Sequence, residues 1–205
     1  DYLEHRVVVG PQPDARVAKL SQYVLKRKGL AIWEATSKRE MLARAREIFE
    51  LINTAYSELH DFVPLTDDEI RFLIGQFFGF IDRRYIKVVV DRDGAMVAVG
   101  IAMESVSRAL QKARGKLWPF GWLRIWRAMR KNDVLDLYLV AVRPDLQGAG
   151  LNAILMHEMH KTAIERRLRW VETNGELETN HKVLTMWKGY EHRTHKRCRI
   201  YSKRL

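Results

Sequence analysis

One stretch constrains this chain more than any other: Val140-Ala-Val-Arg-Pro-Asp-Leu-Gln-Gly-Ala-Gly-Leu-Asn-Ala153. An apolar run from Val134 to Val142 stops at Arg143-Pro144. Glycines follow at 148 and 150, and apolar residues then recur at helical spacing (Ile154, Leu155, Met159). The order is strand, glycine loop, helix. Proline just beyond a strand removes a donor that the ladder no longer needs. A helix with such a stripe needs a sheet or a second helix to cover it, which points to an α/β layer fold. A loop of this kind aims several backbone N–H groups at one anion, with the helix dipole behind them. Glycine matters because a side chain keeps a phosphate away from the backbone. No Lys-Ser/Thr follows the glycines, and the third glycine of the dinucleotide fingerprint is missing, so neither of those phosphate motifs is present.

The rest of the chain supplies a series of short elements. Arg6–Val9 reads as a strand stopped by Gly10-Pro-Gln-Pro13, and a helix capped by Asp14 runs to Lys28 and ends at Gly29. Residues 1–28 are expected to stand apart, as an extension or the remnant of a preceding domain. The main domain is expected over 29–205. It opens on a short strand, Leu30–Glu34. Ser37 caps a helix to about Leu59, with Met41, Ala45, Ile48, Ile52, Ala55 and Leu59 on one face. Thr66 and Glu69 form a capping-box pair ahead of a helix over Ile70–Phe80. A hairpin follows, Tyr85–Val90 and Ala95–Met103 about the turn Asp91-Arg-Asp-Gly94. Residues 105–131 read as two inserted helices divided by Gly115–Gly121. After the glycine loop come a helix over Leu151–Arg167, a strand over Arg169–Thr173, a helix from Asn180 to about Lys188, and a last strand over Cys198–Lys203.

The Gln147-Gly148-Ala149-Gly150 loop resembles motif A of the GCN5-related N-acetyltransferases, which reads Gln/Arg-x-x-Gly-x-Gly/Ala. Asn152 stands where that motif carries Gly or Ala. From Leu30 onward the element order is similar to that family's, apart from the insert at 105–131. Glu47–Tyr56 resembles its first helix, and Asn180-His-Lys-Val-Leu-Thr-Met-Trp187 resembles its motif B, Asn-x-x-Ala-x-x-Leu-Tyr. The resemblance implies an α/β (α+β) fold: a central mixed, mostly antiparallel twisted sheet with flanking helices. It implies acyl transfer from acetyl-CoA, or another acyl-CoA, to a primary amine in a ternary complex, without a metal. In that scheme the strand end Val140, Ala141 and Val142 meets pantetheine, with the Val140 N–H as oxyanion donor. Gln147, Gly148, Ala149, Gly150, Leu151, Asn152 and Ala153 hold the pyrophosphate, and Asn180 joins the cofactor set as the first residue of motif B.

Acyl transfer to an amine needs a proton acceptor and a donor to the departing thiolate. Motif B ends in Trp187 rather than Tyr, and an indole N–H donates a hydrogen bond but transfers no proton at neutral pH. Tyr190, one helical turn on, is the candidate acid, with Tyr138 as runner-up. For the base, Asp136 and Glu172 interrupt apolar strands, and a polar residue in such a place needs a partner. Glu104, Glu176, Glu178 and His181 are weaker candidates. Packed tyrosines and an Asp136–Arg pair are the structural alternatives.

The net charge is +11 and the pI about 9.9, which favours polyanionic partners. The charge is uneven: Ser105–Lys131 holds eight Lys/Arg and no Asp/Glu. There Trp118, Phe120, Trp122 and Trp126 alternate with Arg124, Arg127 and Arg130. Four readings are open for this insert: a cover helix packing its aromatics on the sheet, a basic amphipathic surface touching a membrane through 116–131, a pocket for a long acyl chain or apolar acceptor, and a nucleic-acid surface. No helix-turn-helix or RNA-binding signature accompanies it. The one cysteine, Cys198, excludes an internal disulfide and fits a reducing cytoplasm. His157 and His160 lie three apart on a helix, but Glu158 is off their face, so they form no zinc pattern. The chain starts at Asp1 without Met or a signal peptide, as expected of a piece trimmed from a longer protein. Besides an acyltransferase with a small-molecule or peptide amine acceptor, two readings remain. One is a CoA-binding module of the same fold that has lost turnover, favoured by Trp187 and Asn152. The other is a basic nucleic-acid-binding domain. Oligomeric state is not written in the sequence.

Overall fold

A computed structural model describes residues 1–58, 62–79, 81–201 and 203, apart from the side chains of 181, 182 and 188. The helix end expected at Leu59 and the one expected at Phe80 lie outside the described residues. The chain forms two compact units, Asp1–Pro11 with Ala102–Tyr138 and Ala163–Leu205, and Gln12–Ile101 with Leu139–Thr162. Among the described residues, eight strands form a mixed, mostly antiparallel sheet flanked by helices, the architecture expected from sequence.

The unit built on Gln12–Ile101 contains α1 (Ala15–Lys28), β2 (Ala31–Trp33), α2 (Lys38–Tyr56), α3 (Asp67–Phe77), β3 (Ile86–Val90) and most of β4 (Met96–Glu104). Local signals set the helix ends. Asp14 accepts the N–H groups of Arg16 and Val17, Gly29 closes α1 at φ 64, and Ser37 accepts the Glu40 N–H. Thr66 and Glu69 form a complete capping box. Strands β2, β3 and β4 pair antiparallel in that order. Residues of β3 and β4 feed both faces: Val88, Val90, Val99 and Ile101 join Met41, Ala45, Ile48 and Ile52 of α2, while Val89, Val97 and Ala98 join Val24, Leu151, Ile154 and Leu155, with a register shift at Val89/Val90. Burial on both faces explains why Val88–Val90 of β3 and Met96–Met103 of β4 read as apolar runs without alternation.

The other unit contains β1 (Tyr2–Val8), α4 (Ser107–Ala113), α5 (Gly121–Ala128), the first part of β5 (Val134–Val142), β6 (Trp170–Thr173), β7 (Glu176–Leu177), α7 (His181–Leu184) and β8 (His192–Cys198). Here β5 and β6 run parallel, and β1 pairs antiparallel with β6, β7 and β8. The remaining helix, α6, covers Leu151–Glu165. In β1, Leu3, His5 and Val7 are buried, and its ladder is shared with three strands. Two expectations are corrected. The last strand covers His192–Cys198, not Cys198–Lys203: pairing with β1 selects a charged segment that has no apolar signal of its own. The helix expected over Asn180–Lys188 splits into α7 and a 3-10 turn, Thr185–Gly189.

Candidate active site

The glycine loop is built as the sequence implies, with additional supports. Pro144 opens a 3-10 turn, Pro144–Leu146. The Arg143 side chain bonds Asp145 (2.7 and 3.1 Å) and Asp91 (3.3 Å), and its N–H donates to the Val97 carbonyl (2.9 Å). Gly148 and Gly150 take φ of 76 and 89, a region that side chains disfavour. A Cβ on Gly148 would meet nothing within 4 Å, whereas one on Gly150 would lie 3.0 Å from Val24 Cγ2. The loop is therefore open at the first glycine and packed on α1 at the second. Not every amide of 147–153 is available to a ligand. The Gln147 N–H donates to Pro144, that of Ala149 to Leu146, and that of Ala153 to Gly150. The Gln147 side chain also faces inward, its Nε2 donating to Val142 O (3.2 Å) and Ala55 O (3.5 Å). It ties the loop to the end of β5 and to α2.

Beside the loop lies a cavity of about 230 Å³ lined by Tyr23, Val24, Arg27, Lys28 and Ala149. Arg27 donates to the Tyr23 hydroxyl (2.7 Å), which holds the guanidinium at the rim. On β5, both ends are buried and the middle, Asp136–Val140, is less so. The Tyr56 hydroxyl donates to the Val140 carbonyl (2.9 Å), fixing the direction of that peptide, and burial pushes the Tyr56 phenol up.

The carboxylate candidates lie in the other unit. Asp136, Glu172 and Arg6 form one cross-strand row, since Asp136 faces Glu172 across the parallel pair and Arg6 faces Glu172 across the antiparallel one. The row separates the two acids. Arg6 bonds Glu172, with its Nε at 2.8 Å, and also lies over the Trp170 ring. Asp136 is held above the ordinary carboxylate range by burial, and the negative charge of Glu172 adds to this against a hydrogen bond from Ser105. Tyr138, two residues on, is raised by burial and by Asp136. The weaker candidates are occupied: Glu104 is buried against Arg166 (3.0 Å), and Glu178 bonds Arg197 (3.0 Å). The His181 side chain lies outside the described residues.

Trp187 is 3% exposed, and its indole N–H donates to Glu176 (2.9 and 3.1 Å). Burial raises the Glu176 carboxyl. Glu176 also lies 3.8 Å from His5 Nε2, on a histidine lowered by burial and by His192 and His195. Tyr190 follows the 3-10 turn in extended backbone, its ring 6.4 Å from that of Trp187. Asn180 accepts the Val183 N–H (3.3 Å), which makes its side chain a helix cap.

No family model matches the chain. It is 24% identical over 174 residues to protein YghO of Escherichia coli (strain K12), covering 82% of this chain and 44% of that protein. It is 26% identical over 162 residues to a bacterial ceramide synthase of Caulobacter vibrioides (strain NA1000 / CB15N), covering 76% of this chain and 42% of that protein. The chain thus spans less than half the length of these curated relatives. A GCN5-related N-acetyltransferase from Sphaerobacter thermophilus superposes with a TM-score of 0.60 at 14% identity, over 94% of this chain and 48% of that one. This chain has the GCN5-related N-acetyltransferase fold.

Set in the GCN5-related fold, three features escaped sequence reading. Tyr56 touches Val140 from 84 residues away, a distance that no local pattern spans. The basic end of α1 reads as an ordinary cationic last turn, which favours the helix dipole in any protein. His5 carried no signal, because β1 is short and its partners β6, β7 and β8 lie at the other end of the chain.

Proposed function

We propose that the chain is the catalytic domain of an acyl-CoA-dependent N-acyltransferase that acylates a primary amine. One observation carries the reading: two glycines at positive φ frame a loop at the start of α6, and Ala149 of that loop shares a cavity with Arg27 and Lys28. The cavity fits a phosphorylated nucleotide, since open space at Gly148 admits an anion to the backbone and two cations stand beside it. When bound, acyl-CoA supplies an activated thioester. The amides of Gly148, Gly150 and Leu151 hold the pyrophosphate, and Arg27 and Lys28 take the remaining phosphate charge. Val140 directs its N–H at the developing oxyanion, and Tyr56 holds the following peptide through the Val140 carbonyl. Asp136, four residues earlier on β5, accepts the ammonium proton, for which its raised pKa suits it. Glu172, neutralised by Arg6, positions Asp136. Tyr190 donates to the departing thiolate.

The Caulobacter relative's name points to an acceptor class. Ceramide is the amide of a long-chain amino alcohol, and its formation is the same reaction at an amphiphilic amine. Acetyl-CoA with a simple primary amine remains the plainest form of the reaction, and chain length is decided by the test. A module without turnover is the second reading, favoured by Trp187, which is committed to Glu176 and supplies no proton. Calorimetric titration with CoA, acetyl-CoA and palmitoyl-CoA, followed by amine acylation assays, tests both. Micromolar binding that weakens about tenfold in Arg27→Glu supports the assigned loop. Binding without acylation of any amine selects the module, and absence of binding to all three thiols and thioesters sinks both readings.

A further inference from the structure

The insert offers a surface that the acyl-transfer reading does not use. Helices α4 and α5 pack on each other as a hairpin within their own unit. A cover helix would bury its aromatics, and this one does not, so that expectation is corrected. Trp118 is 82% exposed and Phe120 66%, and Leu117, Trp122 and Trp126 are exposed as well. Trp122 and Trp126 lie one turn apart on α5, and the connection before it carries the other three. The exposure is held in place by local bonds. The Trp122 indole donates to the Pro119 carbonyl (3.0 Å), Arg124 donates to Lys112 O (2.7 Å), and Gly121 sits so near Lys116 O that a Cβ there would lie 1.9 Å away. An aromatic patch of this size on the surface of a protein marks an interaction site.

The charge around the patch selects the partner. Eight Lys/Arg lie between Ser105 and Lys131, with no Asp or Glu. Among the described residues Arg108 has an acidic partner, Asp133, and no ion pair involves the other seven. Arg130 instead stacks on Trp126 at 4.0 Å. Tryptophan prefers the headgroup level of a bilayer, where one edge of the ring is wet and its body apolar. Lys and Arg reach past such rings to anionic headgroups. Aliphatic Leu117 gains nothing from stacking on bases, but does gain from entering lipid, which separates a bilayer from a nucleic acid as the occupant.

We propose that the α4–α5 hairpin docks the protein on the surface of an anionic membrane, with Trp118 and Phe120 entering the acyl boundary and the insert's Lys/Arg lying on the headgroups. No helix among the described residues is long and apolar enough to cross a bilayer, so the contact is peripheral. It stands whether or not the acyl-transfer reading holds.

Flotation of the purified chain with phosphatidylcholine vesicles, with and without one quarter phosphatidylglycerol, tests the proposal. The expected result is binding to the anionic vesicles that weakens in high salt. The Arg124→Glu/Arg127→Glu variant is expected to bind on the order of tenfold more weakly, or less, and Trp118→Ala/Phe120→Ala to bind several-fold more weakly with an unchanged melting temperature. A single bromine-labelled acyl chain should quench tryptophan emission in wild type and less so in Trp118→Ala/Phe120→Ala. Three results overturn the proposal: no binding to either vesicle, salt-sensitive binding that ignores the loss of Trp118 and Phe120, or displacement from vesicles by a few equivalents of duplex DNA.

Discussion

At Gln147–Gly150 the proposed chemistry rests on backbone, whose direction is set by two positive φ angles and by a glutamine side chain that turns inward to brace it. At Asp136 and Glu172 it rests on side chains, and their state is set by residues from other strands: Arg6 for Glu172, Glu172 itself for Asp136. The loop is legible because glycine is informative one residue at a time. The carboxylate row is not, because two acids of similar standing in the sequence receive opposite treatment from the sheet. One is neutralised by a guanidinium, and the other is left buried with its proton held more tightly.

That contrast breaks first at Asp136. Asp136→Asn is expected to lower kcat about 10²–10⁴-fold while leaving CoA affinity unchanged. Burial raises the Asp136 carboxyl in the folded state, so the folded chain holds that proton more tightly than the unfolded chain. Its contribution to stability therefore falls as pH rises from the unfolded value of 3.8 through the folded pKa. The Asn variant should accordingly be more stable than wild type at neutral pH and lack the acidic limb of the rate profile. Thermal melts and a pH–rate profile check both.

Next is Gly150→Leu. The backbone there has φ 89, and the added Cβ meets Val24 Cγ2 at 3.0 Å. The variant should lose about 1–3 kcal/mol of stability from backbone strain, in addition to losing CoA affinity. The less crowded Gly148→Ala should lose affinity with a smaller change in melting temperature. Equal CoA affinity in both variants and wild type would remove the loop from the binding site.

Glu172→Gln sharpens the comparison from the other side. It leaves Arg6 without its carboxylate in a half-buried row, at a cost of about 1–3 kcal/mol in denaturant melts. Turnover should fall less than in Asp136→Asn, and the reverse order would exchange the two roles. The smallest effect is expected at Tyr190→Phe. Losing one hydrogen bond to the leaving thiolate should slow turnover about 2–10-fold with CoA binding intact. Parallel losses in both would show that Tyr190 serves only to pack on Trp187.

By itself the sequence determined the elements whose signals are local. Asp14, Ser37 and the Thr66/Glu69 box mark helix starts, Gly29 marks an end, and the run Val134–Val142 with its following glycines marks the strand and loop of the proposed binding site. Each is read within a few residues, because caps and positive φ angles act over one turn. Tertiary structure alone decided the rest. It recruited β1 into a ladder with β6, β7 and β8, set charged His192–Cys198 into a strand, and buried Trp187 against Glu176. It also left Trp118 and Phe120 outside. Composition alone does not tell a buried tryptophan from an exposed one, or a paired carboxylate from a raised one. Those distinctions depend on neighbours that are distant along the chain and meet only when the strands pair.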